Sequence, residues 1–449
     1  MVRYDSYKDS GVEWINEIPS NWEKSRIRMV GDLYGGLTGK KGSDFNDEDN
    51  PSNKPFVPFT NIFNNTYISK DHFQYVNVEE TENQNRVLKN DLFFLMSSES
   101  YEDLGKCSIL LDDVEELYLN SFCKGFRIKD SKVYPLFLNY QLLGSLHKEM
   151  ISVEGNGFTR INLRQDRLLD IPVFIPPLSE QQQIVSFLDT KTSLIDSLIE
   201  KTQQKIELLK EKRTSLINEV VTKGLNPNVE MKESSVEWIG KIPSHWKRTP
   251  LKYNSYMKGR IGWKGLKQDE FLDKGNYYLI TGHDIKNDKM NWENCYHISK
   301  ERYEESPEIM LQEGDLLFTK DGTIGKTLYI ESLPKPTSLN SHLLVIRPLN
   351  KFYDSKFLQY MFKTSQFLMY VEHNKTGTTF YGMSQNSMEN FKGYFPPLSE
   401  QQQIVEYLDE QTQLIDKTIS IEEKRIELLK EYRQSLISEV VTGKRKVVE

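Results

Sequence analysis

A 47-residue block occurs twice in the chain, 220 positions apart. Residues 176–222 and 396–442 align without a gap at 31 identities, and each copy opens PPLSEQQQIV. Pro176-Pro177 and Pro396-Pro397 keep the approach extended. Ser179 with Gln182, and Ser399 with Gln402, read as capping boxes that start a helix. No Pro or Gly follows until Gly224 in one copy and Gly443 in the other, so each block reads as one helix of about 45 residues, roughly 67 Å at ~1.5 Å per residue. Apolar residues recur in a 4–3 spacing, the signature of a coiled coil. The first seam is Leu188, Thr192, Ile195, Ile199, Thr202, Ile206, Leu209, Arg213, Leu216 and Val220. The second is Leu408, Thr412, Ile415, Ile419, Glu422, Ile426, Leu429, Arg433, Leu436 and Val440. A single helix cannot bury such a seam, so the copies are expected to pair with each other. Their polar seam positions share a phase and would fix the register. A chain built on this two-fold plan suits a partner of approximate two-fold symmetry, and duplex DNA is one.

The lobes preceding the helices repeat more faintly. DSGVEWINEIPSNW (9–22) matches ESSVEWIGKIPSHW (233–246), aligning Trp14, Pro19 and Trp22 with Trp238, Pro243 and Trp246. Asp91-Leu92-Phe93-Phe94 matches Asp315-Leu316-Leu317-Phe318, and Leu119-Asn120-Ser121 matches Leu339-Asn340-Ser341. Short apolar runs (91–96, 125–128, 277–281, 343–348) read as strands, and 135–150 and 355–372 as one amphipathic helix per lobe. The expected class is α+β: two mixed lobes, 1–175 and 225–395, alternating with long helices at 176–224 and 396–449. By the two-fold plan, the chain near Gly443 should lie close to the opening of the first lobe, around Asp9.

The 449 residues carry a net charge of −7 with 27% charged and 11% aromatic residues, the balance of a folded soluble protein. Cys107, Cys123 and Cys295 lie far apart, consistent with reduced thiols in a cytoplasmic protein and no zinc site. No apolar run approaches a membrane span, and the first residues show no signal-peptide pattern. Residues 1–175 hold 20 basic and 27 acidic side chains, so binding to DNA would rest on local patches or on basic partners. Gly322-Thr323-Ile324-Gly325-Lys326-Thr327 resembles the tail of a phosphate loop but has two residues, not four, before Gly-Lys, and reads as a strand-to-strand turn. No cofactor loop, metal-ligand His pair, methyltransferase [NDS]-P-P-[FYW] tetrapeptide or nuclease Pro-Asp is present, so no catalytic residue is assigned.

Loops rich in Gly, Thr, Asn, Lys and aromatics recur at matching places: 34–41, 60–61 and 157–160 in the first lobe, 258–264, 281–284 and 377–381 in the second. Any one could be a solvated turn; their paired recurrence points to phosphate and base-edge contact. The candidate DNA-binding side chains are Lys40, Lys41, Thr60, Asn61, Ser97, Ser98, Lys106, Thr159 and Arg160 in the first lobe. In the second they are Lys258, Arg260, Lys264, His283, Lys320, Lys326, Thr378, Thr379 and Tyr381.

The W-I-x-x-I-P-x-x-W lobe openings, the P-P-L-x-E-Q-x-x-I helix entries and the order lobe–helix–lobe–helix resemble the specificity subunits of type I restriction–modification systems. The resemblance spans essentially the whole chain. It implies two target-recognition domains, each reading half of a split DNA sequence, and helices paired antiparallel that set the gap. It further implies two modification subunits that carry S-adenosylmethionine, methylate adenine and dock on the helices, with a separate ATP- and Mg-dependent restriction subunit. The chain itself would be non-catalytic and hold no cofactor. Two other readings are a coiled-coil adaptor without DNA contact, and a methyltransferase or nuclease with unrecognised motifs.

Overall fold

The computed structural model describes residues 2–45, 53–234, 236, 239–261, 265–286, 289–377 and 381–447. Two compact units emerge, and their boundaries fall inside the helices. The first comprises 1–203 and 424–449, the second 204–423. Each therefore combines one lobe with a stretch of both long helices, cutting across the four segments expected from sequence.

In the first unit, a four-stranded antiparallel sheet runs in the order Gly31–Gly35, Cys123–Ile128, Leu92–Leu95, Cys107–Ile109. A second sheet sets Asn53–Val57 between Tyr118–Leu119, which is parallel to it, and Gln74–Asn77, which is antiparallel. A small third sheet joins Gly155–Asn156, Ile161–Leu163 and Ser97–Ser98. The second unit repeats this plan with Ser255–Gly259, Leu343–Pro348, Leu316–Thr319 and Thr327–Tyr329, then with Tyr296–Ile298, Tyr277–Ile280 and Thr337–Leu339. The third sheet survives there as the bridges Asp321–Gly382 and Thr376–Gly382. The repeated Asp of the D-L-hydrophobic-F runs has a physical cause. Asp91 is buried and takes a two-pronged bond from Arg127 (Nε 2.9 Å, Nη2 2.7 Å), and Asp315 takes the same from Arg347 (2.6 and 2.8 Å). Both arginines sit on the neighbouring strand, so the charge-assisted fork locks the strand pair.

The amphipathic helix expected in each lobe is two helices. In the first unit Gly144, at φ −61° and ψ 144°, breaks it into Pro135–Leu143 and Ser145–Val153. In the second, Ser355–Phe362 ends before Thr364, whose side chain caps Ser365–Asn374 by accepting from the Phe367 N–H.

The long helices span Leu178–Lys223 (46 residues) and Leu398–Val441 (44 residues). They begin one residue before the serines read as caps: the Glu180 and Gln181 N–H groups already donate to the Pro177 carbonyl, as those of Glu400 and Gln401 do to Pro397. The neighbouring residues of the motif instead bind the lobe. Glu180 accepts from Trp22 Nε1 (3.0 Å), the Tyr4 hydroxyl (2.6 Å) and Asn21 Nδ2 (3.1 Å). Glu400 accepts from Trp246 Nε1 (3.2 Å) and meets His245 Nε2 at 2.8 Å. Gln181 is buried, accepting from the Tyr134 N–H and donating to the Lys132 and Pro176 carbonyls; Gln401 does the same with Asp354, Phe352 and Pro396.

Every seam position of both helices is buried or half-buried, while Leu194, Leu208, Leu414 and Leu428 off the seam are exposed. The pairing is antiparallel within each unit. In the second, Lys205 meets Glu422 (2.5 Å) and Arg213 meets Asp416 (3.1 Å), so partner numbers fall as helix numbers rise. In the first, Arg433 meets Asp196 at 2.9 Å, the repeat-equivalent of the Arg213–Asp416 pair, and Ile195, Ile199, Leu429 and Leu436 share one core. That core reaches into the lobe through Trp22, Phe137 and Phe174. The helices stop at Gly224 and Gly443, both at φ +73°, the left-handed turn favoured after a helix C-terminus. Gly443 lies against Pro19 and Trp22, and the Tyr7 hydroxyl donates to its carbonyl (3.1 Å). The expected meeting of these two chain segments is thus seen inside the first unit.

Candidate nucleic-acid interface

The third small sheet ends in a hairpin that gathers several polar and aromatic loops. In the first unit its turn is Gly157-Phe158-Thr159-Arg160. Gly157 has φ +139°, and a Cβ there would stand 2.1 Å from the Arg160 carbonyl oxygen, so only glycine fits. The Arg160 guanidinium donates to Ser97 Oγ (Nε 3.3 Å, Nη2 3.1 Å) and lies 5.6 Å from the Phe122 ring centre. Tyr101 donates to the Gly157 carbonyl (3.3 Å). Gly36 crosses close to Asn120, where a Cβ would meet the Asn120 carbonyl oxygen at 2.1 Å. Asn120 Oδ1 accepts from the Phe122 N–H (2.9 Å), holding that loop. Arg160, Thr159, Phe158 and Phe122 are exposed, whereas Ser97 and Ser98 are buried strand residues.

The remaining candidates of the first unit lie apart from this cluster by role. Lys40 is nearly buried in an ion pair with Glu82 (2.5 Å), whose carboxyl the Lys40 ammonium holds down to about 2. Lys41 and Thr60 are exposed. Asn61 is buried, donating to the Ser69 carbonyl (2.8 Å) and accepting from the Ser69 N–H (3.2 Å), so it closes a turn and offers no surface. Lys106 places its ammonium 4.4 Å above the Phe63 ring and is partly exposed.

In the second unit, His342 occupies the position of Phe122 and meets Asp321 at 3.3 Å. The Gly322 N–H donates to the Tyr381 carbonyl (3.4 Å), and the Met383 N–H to the Lys320 carbonyl (2.7 Å). The Lys375 ammonium stands 4.8 Å from the exposed Tyr381 ring. Lys326 Nζ donates to the Gly282 carbonyl (3.4 Å), next to exposed His283, and the half-buried Lys320 has its ammonium 3.9 Å from Asp321. Lys258 is exposed on its strand. Arg260 corrects the sequence reading. It is 3% exposed and its guanidinium bonds the Leu339 carbonyl, Ser306 Oγ and Ser338 Oγ, so it props the loop from inside. Burial lowers its affinity for the proton. Lys264, Thr378 and Thr379 lie outside the described residues. The Gly322–Gly325 segment is a turn between the strands Leu316–Thr319 and Thr327–Tyr329, not the strand-to-helix loop that cradles phosphates.

Sequence reasoning passed over Phe158, Phe122, Asp321, His342 and Lys375. The first was legible as an aromatic flanked by turn residues; the others depend on strand register. Burial pushes the thiols of Cys123 and Cys295 up to about 12, and that of Cys107 higher still. Among the described residues no group of three or more His, Cys, Asp or Glu is placed to hold a metal, and no helix is long and apolar enough to cross a membrane.

Known proteins share both the sequence pattern and the fold. The family model for the type I restriction modification DNA specificity domain matches twice, over residues 19–208 and 262–431. The type I restriction enzyme MjaVIII specificity subunit of Methanocaldococcus jannaschii is 25% identical over 436 residues, covering 96% of this chain and 94% of that one. The EcoKI specificity subunit of Escherichia coli is 24% identical over 403 residues, covering 88% and 82%. A solved chain of a type I R-M system superposes with a TM-score of 0.72 at 15% identity, covering 95% of this chain and 99% of that one. The HsdS subunit from Thermoanaerobacter tengcongensis gives 0.55 at 14% identity, covering 95% and 98%. With two matches to that model, together spanning most of its residues, this chain belongs to the family of type I restriction–modification DNA specificity subunits.

Proposed function

We propose that each lobe reads one half of a bipartite DNA target, while the paired helices set the spacer and receive two modification subunits. The carrying observation is that the framework is duplicated and the presented side chains are not. The same small sheet and the loop beside it set exposed Phe122 and Arg160 in one unit and exposed His342 and Tyr381 in the other. A repeated scaffold with unlike donors, acceptors and rings reads two unlike sequences. The exposed apolar residues Leu194, Leu208, Leu414 and Leu428 on the outward helix faces suit protein docking. Neither lobe is a polycation, so much of the phosphate attraction would come from partner subunits. The chain contributes recognition; S-adenosylmethionine, ATP and Mg belong to its partners. Mapping methyladenine in the host genome with and without this chain tests the reading. Loss of methylation at one bipartite motif is expected. An unchanged methylation pattern would leave the chain as an adaptor with no role in reading DNA.

A further inference from the structure

The first unit holds one large apolar side chain wholly in solvent. Phe158 is 103% exposed. Its hairpin is built to keep it there. Gly157 permits the tight turn, Tyr101 ties the Gly157 carbonyl, and Arg160 is anchored to Ser97. Behind the tip, Ile161 and Leu163 are buried and pair with the Gly155–Asn156 and Ser97–Ser98 strands. The ring projects from a fixed base among exposed polar neighbours, Asn156, Thr159 and Asn162. Two residues along the chain, Arg160 lays its guanidinium over a second exposed ring, Phe122, which is 61% exposed.

An aromatic ring carried on a rigid tip next to a guanidinium matches the chemistry of stacked bases rimmed by phosphates. The ring replaces base–base stacking while the cation meets the backbone or a base edge. A protein pocket would favour a tip with apolar neighbours, and Phe158 has none beside it in sequence. The second unit keeps the base of this hairpin, with Gly377 at φ +118° and the matching bridges Thr376–Gly382 and Asp321–Gly382. We propose that Phe158 is a wedge that inserts between adjacent base pairs of the half-site read by the first unit, unstacking that step, with Arg160 contacting the strand beside it. This rests on the reading that the lobe binds DNA.

The test uses the assembled complex with its modification subunits and its methylation-mapped target, substituted one base at a time with 2-aminopurine. The wild-type complex should brighten the probe at one step of the first unit's half-site, away from the methylated adenine. Phe158→Ala should abolish that signal and weaken binding about tenfold or more, whereas Phe158→Leu should keep part of both. Brightening that persists in Phe158→Ala, or no bright step in the half-site, overturns the wedge. If Phe158→Ala instead loses the modification subunits, the ring is a protein contact and the proposal is also wrong. If the wild-type complex fails to bind the target at all, the DNA-reading assignment itself falls. Phe158 packs on nothing, so a folding defect is not expected, and circular dichroism of the variant checks it.

Discussion

Two side chains show how single residues hold a lobe together, one shared by both copies and one peculiar to the first. Glu180 joins helix entry to lobe opening by accepting from Trp22, Tyr4 and Asn21, and the Trp22 indole is wholly buried. Glu180→Ala leaves that N–H without an acceptor and should cost about 2–3 kcal/mol in denaturant unfolding, while Glu180→Gln, which keeps an acceptor, should cost less. This bond explains why the W-I-x-x-I-P-x-x-W and P-P-L-x-E-Q motifs occur together, which no reading of either motif alone reveals. His147 is fully buried, its Nε2 facing the Pro172 carbonyl at 3.2 Å, and burial lowers its pKa from 6.5 to about 4. The unfolded chain therefore takes up the proton first as pH falls. Stability contributed by the neutral ring is full above about 6.5 and declines toward 4 at ~1.4 kcal/mol per pH unit. His147→Gln, which keeps a donor for Pro172, should flatten the fall in melting temperature between pH 7 and 4.5, whatever its effect at neutral pH. An unchanged slope would mean that His147 is not the titrating group.

At the scale of elements, the helices were the most legible part of the chain and the loops the least. A 4–3 spacing held over five heptads leaves few alternatives, and every seam residue from Leu188 to Val220 and Leu408 to Val440 is covered. The lobe strands were also readable where runs such as Leu92–Leu95 and Leu343–Pro348 are wholly or mostly buried. Local spacing failed where tertiary partners decide. Arg260 has the composition of a surface cation, yet two serines and a carbonyl capture it inside the lobe. Ser179 has the composition of a helix cap, yet Pro177 already starts the helix and leaves the serine within the first turn. The helices also carry a mechanical expectation. Inserting one heptad after Leu209 and another after Leu429 preserves seam phase and lengthens each helix by roughly 10 Å, about 3 bp of duplex. If the helices set the spacer, methylation should move to a target with a wider gap or vanish while circular dichroism stays native. Full methylation at the original spacing would show that something else measures the gap.

For the molecule as a whole, duplication is the organising fact. One ancestral plan of lobe and helix is used twice, and the conserved bonds (Trp22–Glu180 with Trp246–Glu400, Asp91–Arg127 with Asp315–Arg347) hold the scaffold constant. Between these fixed points the lobes differ through most of their sequence, and at the hairpin and the loops crossing it Phe122 is replaced by His342 and Ser97 by Asp321. Two readers on one scaffold should be separable, and replacement of one is the most direct test. Residues 247–390, the second lobe between its opening motif and its return strand, would be exchanged for the matching segment of a relative, leaving both helices untouched. Methyladenine mapping of the reassembled complex should show a new sequence in one half of the target, with the other half and the spacer unchanged. A change in both halves would contradict the independent reading of two half-sites.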